Sequence, residues 1–256
     1  MIKRFSTAIV RCPCREMVHG LTTADLGIPD FKLASEQHQN YMNALKKCGL
    51  QIDVLNSDSR FPDSVFIEDV AVCTKECAII ANPAITARNG EKDGMTEILS
   101  AYYRDVEVVR FPGTMEAGDV MMVGNHFFIG ISERTNCEGA GQLINILERY
   151  GMTGSMVPLK EMLHLKTGVS YLEENNLLVF GEFIDYPDFN KFNRIEVPAM
   201  EGYAANSLWI NNTVLVPEGF PETRAKIEKA GYPVIGLDVS EFRKLDGGLS
   251  CLSLRF

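Results

Sequence analysis

Apolar residues along this chain come in short runs, and the runs come in pairs. Val70-Ala71-Val72-Cys73 is followed by Ala78-Ile79-Ile80, and Val120-Met121-Met122-Val123 by Phe127-Phe128-Ile129. Val169-Ser170-Tyr171-Leu172 is followed by Leu177-Leu178-Val179-Phe180, and Ser207-Leu208-Trp209-Ile210 by Val214-Leu215-Val216. Runs this short suit strands better than helices. Gly124-Asn125, Asn175-Asn176 and Asn211-Asn212 lie in the turns, and these residues tolerate the left-handed backbone of tight hairpins. Each pair predicts a β-hairpin, and successive hairpins begin roughly 40 to 50 residues apart, within the range of repeat architectures.

Between hairpins the apolar period lengthens to that of a helix. Ser35 to Lys47 places Tyr41, Met42, Leu45 and Cys48 on one face and stops at Gly49. Glu138 to Tyr150 does the same with Leu143, Ile144 and Leu147 and stops at Gly151. Pro221 to Ala230 opens on a first-turn proline and stops at Gly231. A short apolar run follows each: Ile52-Asp53-Val54-Leu55, Met156-Val157 and Val234-Ile235. The predicted unit is hairpin, helix, strand, repeated about five times. A last strand, Leu249 to Arg255, is expected to pair with Thr7-Ala8-Ile9-Val10 and close a ring. No Gly/Ser-rich linker interrupts the pattern, so residues 1–256 are expected to form one α/β domain.

Composition narrows the function. The 256 residues are 46% hydrophobic and 23% charged, ordinary globular usage that excludes a disordered or collagen-like chain. Apolar runs as short as Leu177–Phe180 exclude a membrane-spanning helix. Met1-Ile2-Lys3-Arg4-Phe5 is not followed by the apolar core of a secretory leader, so a cytoplasmic protein is expected. A net charge of −9 argues against nucleic acid as partner, because phosphate binding needs a basic face. It suits a cationic small molecule, although acidity also serves solubility alone. The seven cysteines fit a reducing compartment rather than a disulfide framework. Cys12-Pro-Cys14 and Cys73…Cys77 lack partners at zinc spacing, so neither a metal nor any other cofactor is expected.

Residues capable of chemistry gather where the hairpins begin. Glu68 and Asp69 precede the first, Glu116 and Asp119 the second, His164 the third, and Gly247-Gly248-Leu249-Ser250-Cys251 the last strand. In a ring of like units, equivalent strand ends converge. Each residue also has a plainer reading. Cys251 would serve as a small apolar residue, though the two glycines before it invite close approach by a ligand. His164 lies among Met162, Leu163 and Leu165, where a hydrogen-bonded structural histidine is the common outcome. Glu68 and Asp69, if on a strand, point to opposite faces. Arg88 and Arg134 follow strand ends, where solvated cations are routine.

Three segments carry a resemblance: Phe61-Pro62-Asp63-Ser64-Val65-Phe66-Ile67-Glu68-Asp69, Gly113-Thr114-Met115-Glu116-Ala117-Gly118-Asp119-Val120 and Leu163-His164-Leu165-Lys166-Thr167-Gly168. Together with Gly20-Leu21-Thr22 and Asp246-Gly247-Gly248-Leu249-Ser250-Cys251, they resemble the dimethylarginine dimethylaminohydrolase family in the same order over essentially the whole chain. That resemblance implies the pentein fold, a five-bladed αβ propeller, and hydrolysis of asymmetrically N-methylated arginines to citrulline. It implies Cys251 as nucleophile, His164 as proton donor and Glu116 as the acid that orients the histidine. Glu68 and Asp69 would meet the guanidinium end, and Arg88 and Arg134 the substrate α-carboxylate. Asp63, with the backbone carbonyls of Leu21 and Leu245, would receive the α-amino group. A small-molecule substrate is the implied partner, and a homodimer is an open expectation. Arginine or agmatine deiminase and amidinotransferase chemistry use similar machinery, and a ribosome anti-association factor of the same fold, with no catalysis, is the remote alternative.

Overall fold

The structure is a computed structural model and describes residues 5–256; Met1–Arg4, where the absence of a leader was read, lie outside the described residues. The described residues form five sheets of three strands each. All five share one plan, in which a first strand pairs antiparallel with a middle strand and a third strand lies parallel to that middle one. The sets are Ala71–Cys73, Ala78–Ile80 and Val106–Val108, then Val120–Val123, His126–Ile131 and Thr153–Pro158. Next come Val169–Tyr171, Asn176–Val179 and Asn193–Glu196, and then Leu208–Ile210, Thr213–Pro217 and Val234–Leu237. In the fifth, Leu254–Arg255 pairs with Thr7–Arg11, which runs parallel to Gln51–Leu55.

The three long expected helices are present and supply parallel crossovers. Phe31–Lys47 starts earlier than its periodicity implied, because Asp30 caps it by accepting from the Lys32 and Leu33 amides. Asn136 caps Cys137–Arg149 through the Gly139 amide, and Pro221 opens Pro221–Lys229. The first two turn an apolar stripe onto their sheets, from Cys137–Arg149 Ala140, Leu143 and Leu147 packed with Phe127 and Ile129, while Pro221–Lys229 buries only Thr223 and Ile227. Burying one such Leu or Phe contributes about 1.5–3 kcal/mol.

The repeat is less uniform than the pattern implied. Between Ile80 and Val106 the crossover is made by two short helices, Thr86–Asn89 and Met95–Ser100. Between Val179 and Asn193 there are only 3-10 turns, Gly181–Phe183 and Pro187–Phe189, since a glycine and a proline interrupt so short a link. The last strand shrinks to Leu254–Arg255, because Ser250–Leu252 coil into a 3-10 turn. In the third hairpin the left-handed residues are Glu173, Glu174 and Asn175, while Asn176 joins the strand.

The chain divides into two compact units. One comprises the described residues up to Ile67 with Gly168–Phe256 and holds three sheets; the other is Glu68–Thr167 and holds two. The first has cores around Tyr41, Leu45 and Phe242, and around Leu178, Trp209 and Ile227. The second packs Ile79, Met115, Phe127, Leu143 and Leu147 together.

Candidate active site

Short helical turns lead into four of the first strands, and Glu68, Asp69, Glu116, His164 and Cys251 sit on or just before those turns. Ile67–Val70 carries Glu68 and Asp69, Ala117–Asp119 follows Glu116, Leu165–Gly168 follows His164, and Ser250–Leu252 carries Cys251. Glu68 and Asp69 are therefore not on a strand. The turn lets both be buried, where alternation along a strand would have separated them.

In the Glu68–Thr167 unit a charged cluster is assembled with almost no solvent. Asp69 accepts from the Gly118 amide at 3.1 Å and from Arg88 Nη1 at 2.9 Å. Arg88 turns its other edge on Glu91, with Nε and Nη2 donating to its two carboxylate oxygens at 3.0 and 2.8 Å. Glu116 is fully buried; its Oε2 faces His164 Nε2 at 2.9 Å and its Oε1 lies 3.5 Å from Arg134 Nη1. Lys166 closes on Glu68 Oε1 at 2.7 Å. Opposed charges this well buried hold only as a set, since removing one partner typically costs about 3–5 kcal/mol.

The cluster sets the protonation of its members. Burial pulls the His164 pKa down, but the hydrogen bond to Glu116 and the charges of Asp69, Asp119 and Glu116 outweigh it, raising it to about 9. At neutral pH the ring is an imidazolium whose Nε2–H donates to Glu116. Burial works against the Asp69 carboxylate, yet Arg88 and His164 hold it below the usual range. Burial likewise opposes the Arg88 charge, but Asp69 and Glu91 keep that guanidinium firmly protonated. Donor atoms of Asp69, Glu116 and His164 lie within 4.8 Å of one another. A cation placed there would compete with Arg88 for Asp69 and with the imidazole for Glu116.

The other unit holds the remaining candidates. Cys251 is half-buried, and the Gly248 amide points at its Sγ at 3.4 Å. Asn206 braces this segment, donating from Nδ2 to Ser250 Oγ and accepting the Ser250 amide at Oδ1, both at 3.0 Å. The Tyr203 hydroxyl donates to the Gly247 carbonyl at 2.8 Å. The two glycines make room for these neighbours: a Cβ on Gly247 would strike the Phe66 ring, and one on Gly248 the Asn206 carboxamide. Buried Asp63 accepts the Leu21 amide at 3.1 and 3.2 Å through its two oxygens. Asp63 and the buried Leu245 both lie against Gly20, so Leu21, Asp63 and Leu245 come together.

Each unit thus gathers its own share: Glu68, Asp69, Arg88, Glu116, Arg134 and His164 in one, Leu21, Asp63, Leu245 and Cys251 in the other. Arg88, read in the sequence as a cation following a strand end, is instead buried and carries an acid on two sides. Sequence reasoning missed Glu91, Lys166, Asn206 and Tyr203. The Arg88–Glu91 spacing of a helical turn was a usable signal for the first; nothing local marks Asn206.

Comparison with known proteins places this arrangement. Residues 30–186 match the family profile described as N,N dimethylarginine dimethylhydrolase, eukaryotic. The N(G),N(G)-dimethylarginine dimethylaminohydrolase of Pseudomonas aeruginosa is 53% identical over 98% of this chain and 100% of its own. This chain belongs to the dimethylarginine dimethylaminohydrolase family. A Streptomyces coelicolor dimethylarginine dimethylaminohydrolase is 31% identical over 97% of this chain and 96% of its own. Among solved structures, a cysteine-to-serine variant of the Pseudomonas aeruginosa family member, complexed with citrulline, superposes with a TM-score of 0.97 at 53% identity, covering 98% of this chain and 99% of its own. A histidine-to-glycine variant of a dimethylarginine dimethylaminohydrolase, in adduct with S-methyl-L-thiocitrulline, has the same TM-score and identity over 99% of this chain. The five mixed three-stranded sheets are those of the family's pentein fold, as expected. A cyanobacterial arginine dihydrolase domain shares the fold at a TM-score of 0.88 but only 19% identity.

Proposed function

We propose that this protein is a dimethylargininase that hydrolyses asymmetric dimethylarginine and monomethylarginine to citrulline and the corresponding methylamine. The observation that carries the reading is the 53% identity, over the whole length of both chains, to a dimethylarginine dimethylaminohydrolase. That relative's fold has been seen with citrulline, the product of this reaction.

The roles follow from the chemistry each residue offers. The Cys251 thiolate attacks the guanidinium carbon, forming a C–S bond and a tetrahedral adduct. His164, an imidazolium at neutral pH, gives a proton to the departing nitrogen as its C–N bond breaks. With Nε2–H held by Glu116, the proton given is the one on Nδ1. Dimethylamine or methylamine leaves, and a thiouronium-like intermediate remains on Cys251. His164, now neutral and strongly basic, takes a proton from water, whose oxygen adds to the same carbon. As the C–S bond breaks, the added hydroxyl gives up its remaining proton to solvent, citrulline departs, and the thiolate and imidazolium are restored.

Glu68 and Asp69 supply charge-assisted acceptors for the planar cation. Arg88 and Arg134 supply the positive field for the α-carboxylate, and Arg134 is the freer of the two, held by Glu116 only at 3.5 Å. Asp63 and the carbonyls of Leu21 and Leu245 receive the ammonium. We place the protein in the cytoplasm and treat its two units as one catalytic domain. Its seven cysteines are all free, and no helix among the described residues is long and apolar enough to cross a membrane.

Acid quenching during turnover, followed by peptide mass analysis, tests the covalent route. An amidino adduct is expected on the Cys251 peptide, and it should accumulate in the His164→Gly variant. Wild-type citrulline production by Cys251→Ser would overturn the reading.

A further inference from the structure

Asp119 stands three residues after Glu116 in the sequence, yet of these two acids the chemistry above uses only Glu116. It is fully buried, and both carboxylate oxygens are engaged. Oδ1 accepts the backbone N–H of Leu165 at 2.9 Å, and Oδ2 accepts the Ser132 hydroxyl at 2.7 Å. Ser132 Oγ in turn accepts the amides of Arg134 and Thr135 at 3.0 and 3.2 Å. Thr135 Oγ1 accepts the Glu116 amide at 3.2 Å, and the Glu116 carboxylate binds His164. Leu165 follows His164 in the chain, so these contacts form a closed circuit through Asp119, Ser132, Thr135, Glu116 and His164.

Space for this carboxylate is provided by the neighbouring strand. Along His126–Ile131 a side chain is missing only at Gly130, where a Cβ would fall 2.6 Å from Asp119 Oδ1 and 3.1 Å from Leu165 Cβ. Burial raises the Asp119 pKa, and the His164 charge together with a donor on each oxygen works against that rise and favours the carboxylate. An asparagine could not take its place unchanged. Its oxygen would be needed by the Leu165 amide, which turns its NH2 toward Ser132 Oγ, already the acceptor of two amides. The serine proton would then lose its acceptor.

We propose that Asp119 is a positioning residue for the hydrolysis, fixing the backbone next to His164 with one oxygen and the turn that carries Arg134 with the other. The proton donor and the cation assigned to the substrate carboxylate are thereby set on Glu116 as one piece. This rests on the functional reading above. The charges gathered around the imidazole are Glu116, Asp69 and Asp119, with Arg134 bound to Glu116 and Arg88 bound to Asp69 and lying 3.8 Å from Glu116.

The test uses the whole chain and two variants, Asp119→Asn and Ser132→Ala. Titration of His164 by NMR without substrate should show its pKa lowered in Asp119→Asn by on the order of one unit, and nearly unchanged in Ser132→Ala, which keeps the carboxylate. In kinetics Asp119→Asn should lose kcat by on the order of ten- to a hundred-fold. Ser132→Ala should instead raise KM for dimethylarginine by about ten-fold, while sparing turnover of methylguanidine, which has no α-carboxylate. Should Asp119→Asn fail to fold, the Ser132→Ala split between the two substrates still decides. The proposal is overturned if the variants lower the urea midpoint but leave the His164 titration and the substrate split as in the wild type. Absence of citrulline formation by the wild type would fault the functional reading instead, and the titration would judge Asp119 separately.

Discussion

At His164 two effects act on one proton. Burial disfavours the imidazolium, while a hydrogen-bonded Glu116 and the nearby Asp69 and Asp119 favour it, and the acids prevail with a pKa of about 9. A donor that must be protonated loses its function as pH rises through that value. The rate of amine release should therefore be level near neutrality and fall above about pH 9. Glu116→Gln removes the charge that is hydrogen-bonded to the ring, so the falling limb should move down by on the order of one unit or more. A pH profile between mild acid and strong base, run on both proteins, checks this. An identical alkaline limb in the variant would show that Glu116 does not govern the His164 proton.

At the scale of an element, the Phe31–Lys47 helix carries a group that works the other way. His38 is buried against Phe242, and its Nε2 has no hydrogen-bond partner among the described residues. Burial lowers its pKa to about 4. A histidine near 6.5 in the unfolded chain and about 4 in the folded one takes up its proton first on unfolding. Its contribution is intact above pH 6.5 and is lost as pH falls toward 4, by roughly 3 kcal/mol in all. His38→Leu should flatten the acid limb of stability in urea melts at pH 4 to 7; an unaltered limb would rule His38 out as its source. The helix itself was legible, because Tyr41, Met42 and Leu45 recur at helical spacing. Its start at Phe31 was not, since the cap at Asp30 lies outside the apolar period. The turns before the hairpins were hidden for a related reason. One helical turn has no period to read, so Glu68 and Asp69 looked like strand residues and Ser250–Leu252 looked like the start of a strand. The packing around the glycines before Cys251 was not legible, because the sequence cannot show that Phe66 and Asn206 fill the space beside them.

At the scale of the molecule, the hairpin-plus-crossover plan was legible from paired apolar runs, and all five sheets follow it. Alternation and turn residues are local, and four of the sheets are built from a contiguous stretch, so pattern alone found their hairpins while missing the third strands Val106–Val108 and Asn193–Glu196. The fifth joins the two ends of the chain and needed the repeat to suggest it. Two crossovers escaped because their links are too short or too broken to show a helical period. The site was legible in its parts: Glu116, His164, Asp69 and Cys251 were marked by motif and position. Their partners Glu91 and Lys166 were not: the three-residue Arg88–Glu91 spacing is common on exposed helical turns, and the Lys166–Glu68 pair joins distant segments and leaves no trace in spacing. What the chain does with these groups is decided by one assay, citrulline release measured side by side from asymmetric dimethylarginine, monomethylarginine and arginine. The account predicts release from the two methylated substrates, weak release from arginine, and none from any of them in Cys251→Ser. Release from arginine at least as fast as from the methylated substrates, or undiminished release by the serine variant, would contradict it.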